Sequence, residues 1–569
     1  MAAAPNTPTT FWSSLTSGFL LLAMASLLTA CGAGSDGEPA SMPMGSSDNP
    51  YTVPFSSPAY LREHARYLEE ELFRIGDTPV WDYNTPNRGF GNVIMIEGDD
   101  GVIIVDTTTA HEHAAVAEKA FREITSKPVA AVIYTHHHAD HISGGGAFVD
   151  PAAAASGEVP VIAADNFLRE LEDENQVTAP IMGLRAMYMY GQLLDPVGDG
   201  RDYHVSCCGY TLGGQRKSYI APNQFISDRQ ELTIAGVRME LFQTGGESAS
   251  HLAIWLPDYR VMLSGDELQG PNYPNLHSLR GTKPRDAMKW IGAIDRMRAY
   301  GAEHLVPSHG QPLSGADVVE MYGTVKHNVR EYYVAYISWW NGDPAELDPL
   351  PRVEKARRLV ELMGGRERVF AAAEAAFAEG DDQWVAELTA YLVRLDRDDM
   401  PARHLKAAAL RRIGFATANT NWRGFYLTAA RELEGAVQPR RVVEQLQQTR
   451  FIPDDLTMRQ LLSLLRFRVD SAKAGDRHLA VAYHLTDTQE AYTLELRNAI
   501  LDIHEGVHPE ADVTLTLERP VLNRLFTGEL SYRDALKQGS MALSGAPGDL
   551  RAFGQVFDLD PGQPYLSLR

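Results

Sequence analysis

The sequence predicts an α/β layered unit, then a helical unit, then an α+β unit, and three observations support this. Short apolar runs near 92–97, 102–106 and 129–134 flank a helical pattern near 114–124. Strand, helix, strand is the order that builds an α/β sheet. From about Lys326 to Leu433 the chain turns Ala-rich, with apolar residues at helical spacing. From about Thr457 apolar and polar residues alternate, as in half-buried strands. At 569 residues the chain is also too long for one core, given roughly 100–200 residues per domain.

Leu61, Ala65, Leu68 and Leu72 recur at helical spacing and predict a helix. Val102-Ile-Ile-Val105 is apolar at every position, so both faces of that strand should be buried. Later strands are predicted over 232–242, in two pieces around Gly236, and over 253–256 and 260–264. A further strand ends at His309, so four strand ends carry His, Asp or Glu toward one edge. Ligand sites in such sheets gather at the C-terminal ends of strands. Helices are predicted over 371–380, 383–395 and 402–413, in the manner of a helical-hairpin array. In the last part, strands are predicted over 479–485, 491–496, 500–503 and 513–517, with helices over 520–527 and 532–537.

Hydrophobic residues make up 44% and charged residues 22%, as in soluble globular proteins. A formal net charge of −22 argues against a nucleic-acid partner, because phosphate binding needs a basic face. There are three cysteines. Cys207 and Cys208 are adjacent and read as plain thiols, with no disulfide framework.

Cys31 differs. Residues 19–30 form an apolar run of signal-peptide length, too short for a bilayer span. It ends in Leu28-Thr-Ala-Cys31, which resembles a bacterial lipobox, although no Lys or Arg precedes it. A Gly/Ser/Pro/Met-rich stretch follows, as expected of a tether. The expectation is a signal peptide over 1–30 and a lipoprotein tether over 31–54. Lipid on Cys31 would then anchor the chain in a bacterial cell envelope, facing the periplasm or on the outer membrane.

The stretch His136-His-His-Ala-Asp-His141 is the richest in metal-binding groups. Catalytic zinc favours imidazole nitrogen and carboxylate oxygen. In an extended loop His136 and His138 point the same way and can share one ion, while Asp140 and His141 can reach a second. Gly144-Gly-Gly146 lets the backbone turn tightly behind them.

The string Thr135-His-His-His-Ala-Asp-His-Ile-Ser-Gly-Gly145 resembles the HxHxDH motif of the metallo-β-lactamase superfamily, whose fold is an αββα sandwich with metals at one edge. Glu247 stands where many members carry a histidine, which makes the chain similar to the alkyl sulfatases. Leu279-Arg-Gly281 with Arg285-Asp-Ala287 looks like a segment of that family. The stretches from Trp339 to Pro351 and from Ala418 to Thr428 look like its dimerisation region, and the last part resembles its sterol-carrier-like domain. The resemblance spans roughly 55–569. It implies a metallo-β-lactamase-like domain over 55–325, a helical dimerisation domain over 326–450 and a sterol-carrier-like domain over 451–569.

The resemblance implies two zinc ions per chain. One takes His136, His138 and Glu247, and the other takes Asp140, His141 and His309. Asp266 bridges them, with Glu267 next in line if the loop slips by one. The family usually carries Glu at the bridging place, and Glu also at the place of His251, so Asp266 and His251 are departures. His251 is open to three roles: supporting group, extra ligand or substrate contact.

Two zinc ions bring a shared water toward deprotonation at neutral pH. A sulfate monoester then needs a positive clamp, and guanidinium suits a planar set of oxygens. Arg280 is the expected clamp, Asn275 a neutral donor beside it, and Asp140 a catalytic residue as well as a ligand. Tyr188 and Tyr190 either close the pocket or fill the core. The expected function is zinc-dependent hydrolysis of amphiphilic, detergent-like alkyl sulfates by a homodimer. The alternatives are hydrolysis of a phosphoester, lactam or thioester, and a lipid carrier with a structural metal. Seven candidate ligands weigh against the carrier, since a closed structural zinc site needs four.

Overall fold

The computed structural model describes residues 48–557 except 87–88, 178, 196–197, 201–215, 270–275, 277, 282, 336–342, 440–441 and 443–456. Cys31, Cys207, Cys208, Asn275 and the Trp339-Trp340 pair lie outside the described residues. The described chain divides into two compact units, one within 38–445 and one within 446–563.

The first unit carries two sheets. The seven-stranded sheet runs in chain order: β1 Glu71–Arg74, β2 Val80–Asn84, β3 Val93–Glu97, β4 Val102–Val105, β5 Val129–Ile133, β6 Val161–Ala164 and β7 Gln224–Ile226. Pairing is antiparallel from β1 to β4 and parallel from β4 to β7. The six-stranded sheet contains β8 Arg229–Ile234, β9 Val237–Gln243, β10 Leu252–Leu256, β11 Val261–Gly265, β12 His304–Pro307 and β13 Leu313–Ser314, from β13 at one edge to β8 at the other.

Strand alternation explains how the sheets stack. Ile94, Ile96, Ile103, Val105 and Ile133 of one sheet share a core with Leu241, Ile254, Leu263 and Val306 of the other. Each such side chain stabilises the sandwich by roughly 1.5–3 kcal/mol on full burial. The outer face of the second sheet, with Phe242, Met262 and Leu305, is covered by Trp290 and Ile294 of helix Ala287–Ala299 and by Val325 and Val329 of helix Ala316–Ala335. Helix His111–Ile124 buries Ala114, Ala117 and Phe121 at the first sheet. The result is an αββα sandwich. As expected, β4 is buried at all four positions.

The expected helix through Leu72 stops early. Ala59–His64 is helical and Ala65–Leu68 forms a tighter turn, but Leu72 and Phe73 belong to β1. The ladder to Tyr83 and Asp82 outweighs the local periodicity.

Helices Arg352–Leu362, Arg366–Glu379, Asp382–Leu395, Met400–Ala416 and Thr420–Leu433 follow, packed around Val385, Leu392, Leu405 and Leu433. Asp381, Asp399 and Asn419 cap three of them by accepting backbone N–H groups.

The second unit is α+β. Its sheet has the order β16 Ile500–Glu505, β15 Ala491–Arg497, β14 Leu479–Leu485, β17 Val513–Leu517, β18 Met541–Gly545. Helices Arg519–Thr527, Tyr532–Gln538 and Pro547–Gly554 cover a core of Val481, Leu494, Leu515, Leu522 and Phe553. Among the described residues no helix is long and apolar enough to cross a membrane.

Candidate metal centre

Because β9, β11 and β12 run parallel to one another, their C-terminal ends share one edge of the second sheet. The loop after β9 delivers Glu247, the end of β11 delivers Asp266, and the turn after β12 delivers His309. The end of β5 and the four-residue helix Ala139–Ile142 deliver His136, His138, Asp140 and His141.

The seven residues form two groups. In the first, His136 Nε2 lies 2.7 Å from His138 Nδ1 and 3.4 Å from Glu247 Oε2. In the second, Asp140 Oδ2 lies 3.5 Å from His141 Nε2 and 3.4 Å from His309 Nε2. Asp266 touches both: Oδ2 is 3.8 Å from His136 Nε2, and Oδ1 is 3.5 Å from His141 Nε2 and 3.2 Å from His309 Nε2.

Hydrogen bonds around the cluster set which nitrogen faces inward. Asp106, just past β4, accepts from Thr135 N and Thr135 Oγ1 at 2.8 Å each and from Ser308 Oγ at 2.9 Å. Its Oδ2 is 2.8 Å from His141 Nδ1, so that nitrogen holds the proton and Nε2 turns its lone pair to the cluster. Thr135 Oγ1, already a donor to Asp106, accepts from His136 Nδ1 at 3.0 Å, which frees His136 Nε2 in the same way. Asp106 has φ 57°, a left-handed conformation that a non-glycine residue holds at a cost of order 1–3 kcal/mol. Asn92 holds the His309 turn, donating to Gly310 O at 2.9 Å, with its own N–H to Ser308 O at 2.8 Å.

The donor set fits a divalent metal. His141 Nε2, Glu247 Oε2 and Asp266 Oδ1 are buried and meet no hydrogen-bond partner. Buried polar atoms are otherwise nearly always satisfied. Burial opposes protonation of His136 and, with neighbouring His141 and His138, holds it well below the usual imidazole range. Burial favours the neutral form of Asp266, but His309 and His141 outweigh it and keep the carboxyl well below its usual range. Burial opposes protonation of His141 and His309 too, but Asp266 and Asp140 outweigh it and raise both imidazoles. Neutral imidazoles and ionised carboxylates are the forms that ligate a metal, so a metal binding here would displace protons.

Glu267, next to Asp266, faces away. It accepts from Gly246 N at 2.9 Å and Glu247 N at 3.2 Å, and so supports the Glu247 loop. Burial pushes its carboxyl up to about 8. Arg285 grips Glu247 from outside, through the backbone carbonyl at 2.6 Å and through Oε1, leaving Oε2 for the cluster. His251 lies behind Asp266, its ring stacked 5.0 Å from His136. Gly265 (φ 53°) gives it room, because a Cβ there would collide with His251 Nε2. Gly91 (φ 92°) likewise passes over the Asp140 carbonyl, where a Cβ would collide.

Tyr188 and Tyr190 part company. Tyr188 is core: its hydroxyl donates to Glu432 at 2.5 Å in the helical part of the unit. Tyr190 lies by the site, 5.4 Å from the Phe90 ring, which packs 4.5 Å from His309. Arg280 donates to Tyr190 OH at 2.6 Å, within the electrostatic reach of Glu174, Glu247 and Asp140.

Sequence reasoning assigned no role to Asp106, Asn92, Arg285 or Glu174, although Arg285 stands in the family-like segment. Asp106 did leave a signal, as an acid closing a fully apolar strand. Glu174 gave none. It lies 3.0 Å from His137 Nε2 and 3.5 Å from His138 Nε2. Burial opposes its ionisation, yet His138 and His137 hold its carboxyl well below the usual range.

An αββα sandwich with His, Asp and Glu converging at one sheet edge defines a metal-dependent hydrolase of the metallo-β-lactamase class. Residues 86–309 match the metallo-β-lactamase superfamily, 313–436 match alkyl sulfatase dimerisation and 448–562 match the alkyl sulfatase C-terminal region. A linear primary-alkylsulfatase of a Pseudomonas species is 35% identical over 84% of this chain and 100% of its own length. An (R)-specific secondary-alkylsulfatase of Pseudomonas is 30% identical over 82% of this chain and 78% of its own. The solved structure of Pisa1, a stereoselective inverting sec-alkylsulfatase from Pseudomonas, superposes with a TM-score of 0.78 at 28% identity, covering 89% of this chain and 87% of that one. The chain belongs to the alkyl sulfatase family.

Proposed function

We propose that the chain hydrolyses alkyl sulfate esters to an alcohol and sulfate, using two zinc ions. The observation that carries this reading is Asp266, whose two oxygens address two separate ligand groups. His136, His138 and Glu247 would hold one ion, and Asp140, His141 and His309 the other, with Asp266 between them. When bound, two zinc ions supply Lewis acidity and a water that deprotonates near neutral pH. The protein supplies the rest. Asp106 and Thr135 fix imidazole tautomers, while Arg285 and Glu267 fix the Glu247 loop. Arg280 would clamp the sulfate, since a guanidinium matches adjacent anionic oxygens, with Tyr190 holding it in place. Asn275, outside the described residues, remains the proposed neutral donor beside it.

The experiment is a substrate panel: dodecyl sulfate, a secondary alkyl sulfate, an aryl sulfate, a phosphoester and a lactam. Sulfate release from the alkyl esters is expected, with an Asp140→Ala protein folded but inactive. Hydrolysis of the phosphoester or lactam in preference to every sulfate would overturn the reading.

The match to alkyl sulfatase dimerisation supports a homodimer, and sedimentation at micromolar concentration is expected to show one. Lipid on Cys31 would place the enzyme on a membrane of the cell envelope, where amphiphilic esters collect. That part of the reading rests on the apolar run 19–30, on Leu28-Thr-Ala-Cys31 at its end and on the tether-like stretch that follows.

A further inference from the structure

A third buried group adjoins the metal cluster and shares one residue with it. His137, His138 and Glu174 bring ligand-type atoms within 4.8 Å of one another. His138 is common to this group and to the first ligand group. Its Nδ1 lies 3.5 Å from Glu247 Oε2, and its Nε2 lies 3.5 Å from Glu174 Oε2. A neutral imidazole has one lone pair and one N–H. If Nδ1 gives the lone pair to a metal, Nε2 holds the hydrogen and needs an acceptor. Glu174 is placed to be that acceptor.

The backbone turns Glu174 inward. Helix Phe167–Leu171 runs into a wide π-type turn, Glu172–Val177, and such turns are frequent at functional sites. The Glu174 side chain is 5% exposed, and that of neighbouring Asp173 is 43% exposed. Asp173 and Glu170 instead accept from Lys283 at 2.7 and 2.8 Å. Glu174 Oε2 is also 3.0 Å from His137 Nε2, and His137 Nδ1 is 2.8 Å from Ser250 Oγ, beside the Glu247 loop.

We propose that Glu174 is a positioning residue for the first metal site. It holds His138 through the Nε2–H so that Nδ1 faces the ion, and His137 braces it from the other side. This rests on the two-ion reading above. The third group is thus a support for the first site and not a third ion site, because the one nitrogen of His138 turned toward it carries the hydrogen.

The test uses the full chain, stripped of metal and reloaded with zinc against a competing chelator, so that each equivalent gives its own affinity. Glu174→Gln removes the charge and keeps the shape. It is expected to weaken one equivalent about 10–100-fold and to leave the other within error. His137→Gln, the opposite arm, is expected to weaken the same equivalent by less, and it serves in place of Glu174→Gln should that protein fail to fold. Asp173→Asn should change neither. In the cobalt-loaded protein, Glu174→Gln should alter the visible absorption of one bound ion only. Equal weakening of both equivalents, or of neither, would overturn the positioning role while leaving the two-ion reading intact. A wild-type chain that takes up one equivalent would overturn that reading, and the positioning role with it.

Discussion

His251 Nε2 accepts the backbone N–H of Asp266 at 2.9 Å, while its Nδ1 lies 2.9 Å from Thr244 Oγ1. A ring that accepts at Nε2 must carry its proton on Nδ1, so Thr244 is the acceptor and the ring is neutral. His251 therefore supports Asp266, the proposed bridge, from behind, which fits the supporting role among the three open to it from sequence.

This arrangement has a pH consequence. Burial, the leading cause, lowers His251 from 6.5 to about 3, so the unfolded chain binds a proton there that the folded chain refuses. The stabilisation is complete above pH 6.5 and is lost as pH falls toward 3. Metal-free wild type should lose melting temperature across that window, and His251→Gln, which does not titrate, should lose less. Equal acid sensitivity in the two proteins would refute the assignment.

Asp266 and Glu267 should separate cleanly. Asp266→Asn takes charge from both ligand groups and should lower metal content and kcat together, the latter roughly 100-fold or more given several kcal/mol of charge stabilisation. Glu267→Gln keeps an acceptor for Gly246 and Glu247 N–H and should act mainly on melting temperature. Elemental analysis beside kinetics decides, and the reverse ranking would mean that the wrong carboxylate bridges.

Arg280 contributes no ligand, so Arg280→Ala should leave metal content unchanged. Its charge-assisted hydrogen bonds to sulfate would be worth roughly 1.5–3 kcal/mol, so kcat/KM for dodecyl sulfate should fall about 10–150-fold. A kcat/KM within twofold of wild type would place the sulfate elsewhere.

The anchor is tested by expressing the full-length chain in a bacterium beside Cys31→Ala. Wild type should stay with membranes after a salt wash and carry lipid on Cys31 by mass spectrometry, and the variant should carry none. Soluble wild type with an unmodified cysteine would end the proposal.

Much of the sandwich was legible because buried strands such as Val102–Val105 read as unbroken apolar runs. Strand β1 was not, because Leu72 happens to continue a helical spacing and the strand is set by its ladder to β2. Four of the seven grouped residues were legible because they sit in one short string; Glu247, Asp266 and His309 lie after recognisable strand ends but were singled out through the family resemblance. The contacts of Glu174 and Arg285 were not legible, because they reach His138 and Glu247 across 36 and 38 positions of sequence, and no local pattern announces such contacts. Asp266 could be ranked above Glu267 only by resemblance; the backbone turn after β11 points the first inward and the second toward Gly246.

The most direct measurement is reconstitution of metal-free protein with stepwise zinc, following sulfate release from dodecyl sulfate at each step. The expected curve rises and levels off at two equivalents per chain. A curve that levels off at one equivalent, or no sulfate release at any zinc concentration, would contradict a two-zinc alkyl sulfatase built around Asp266.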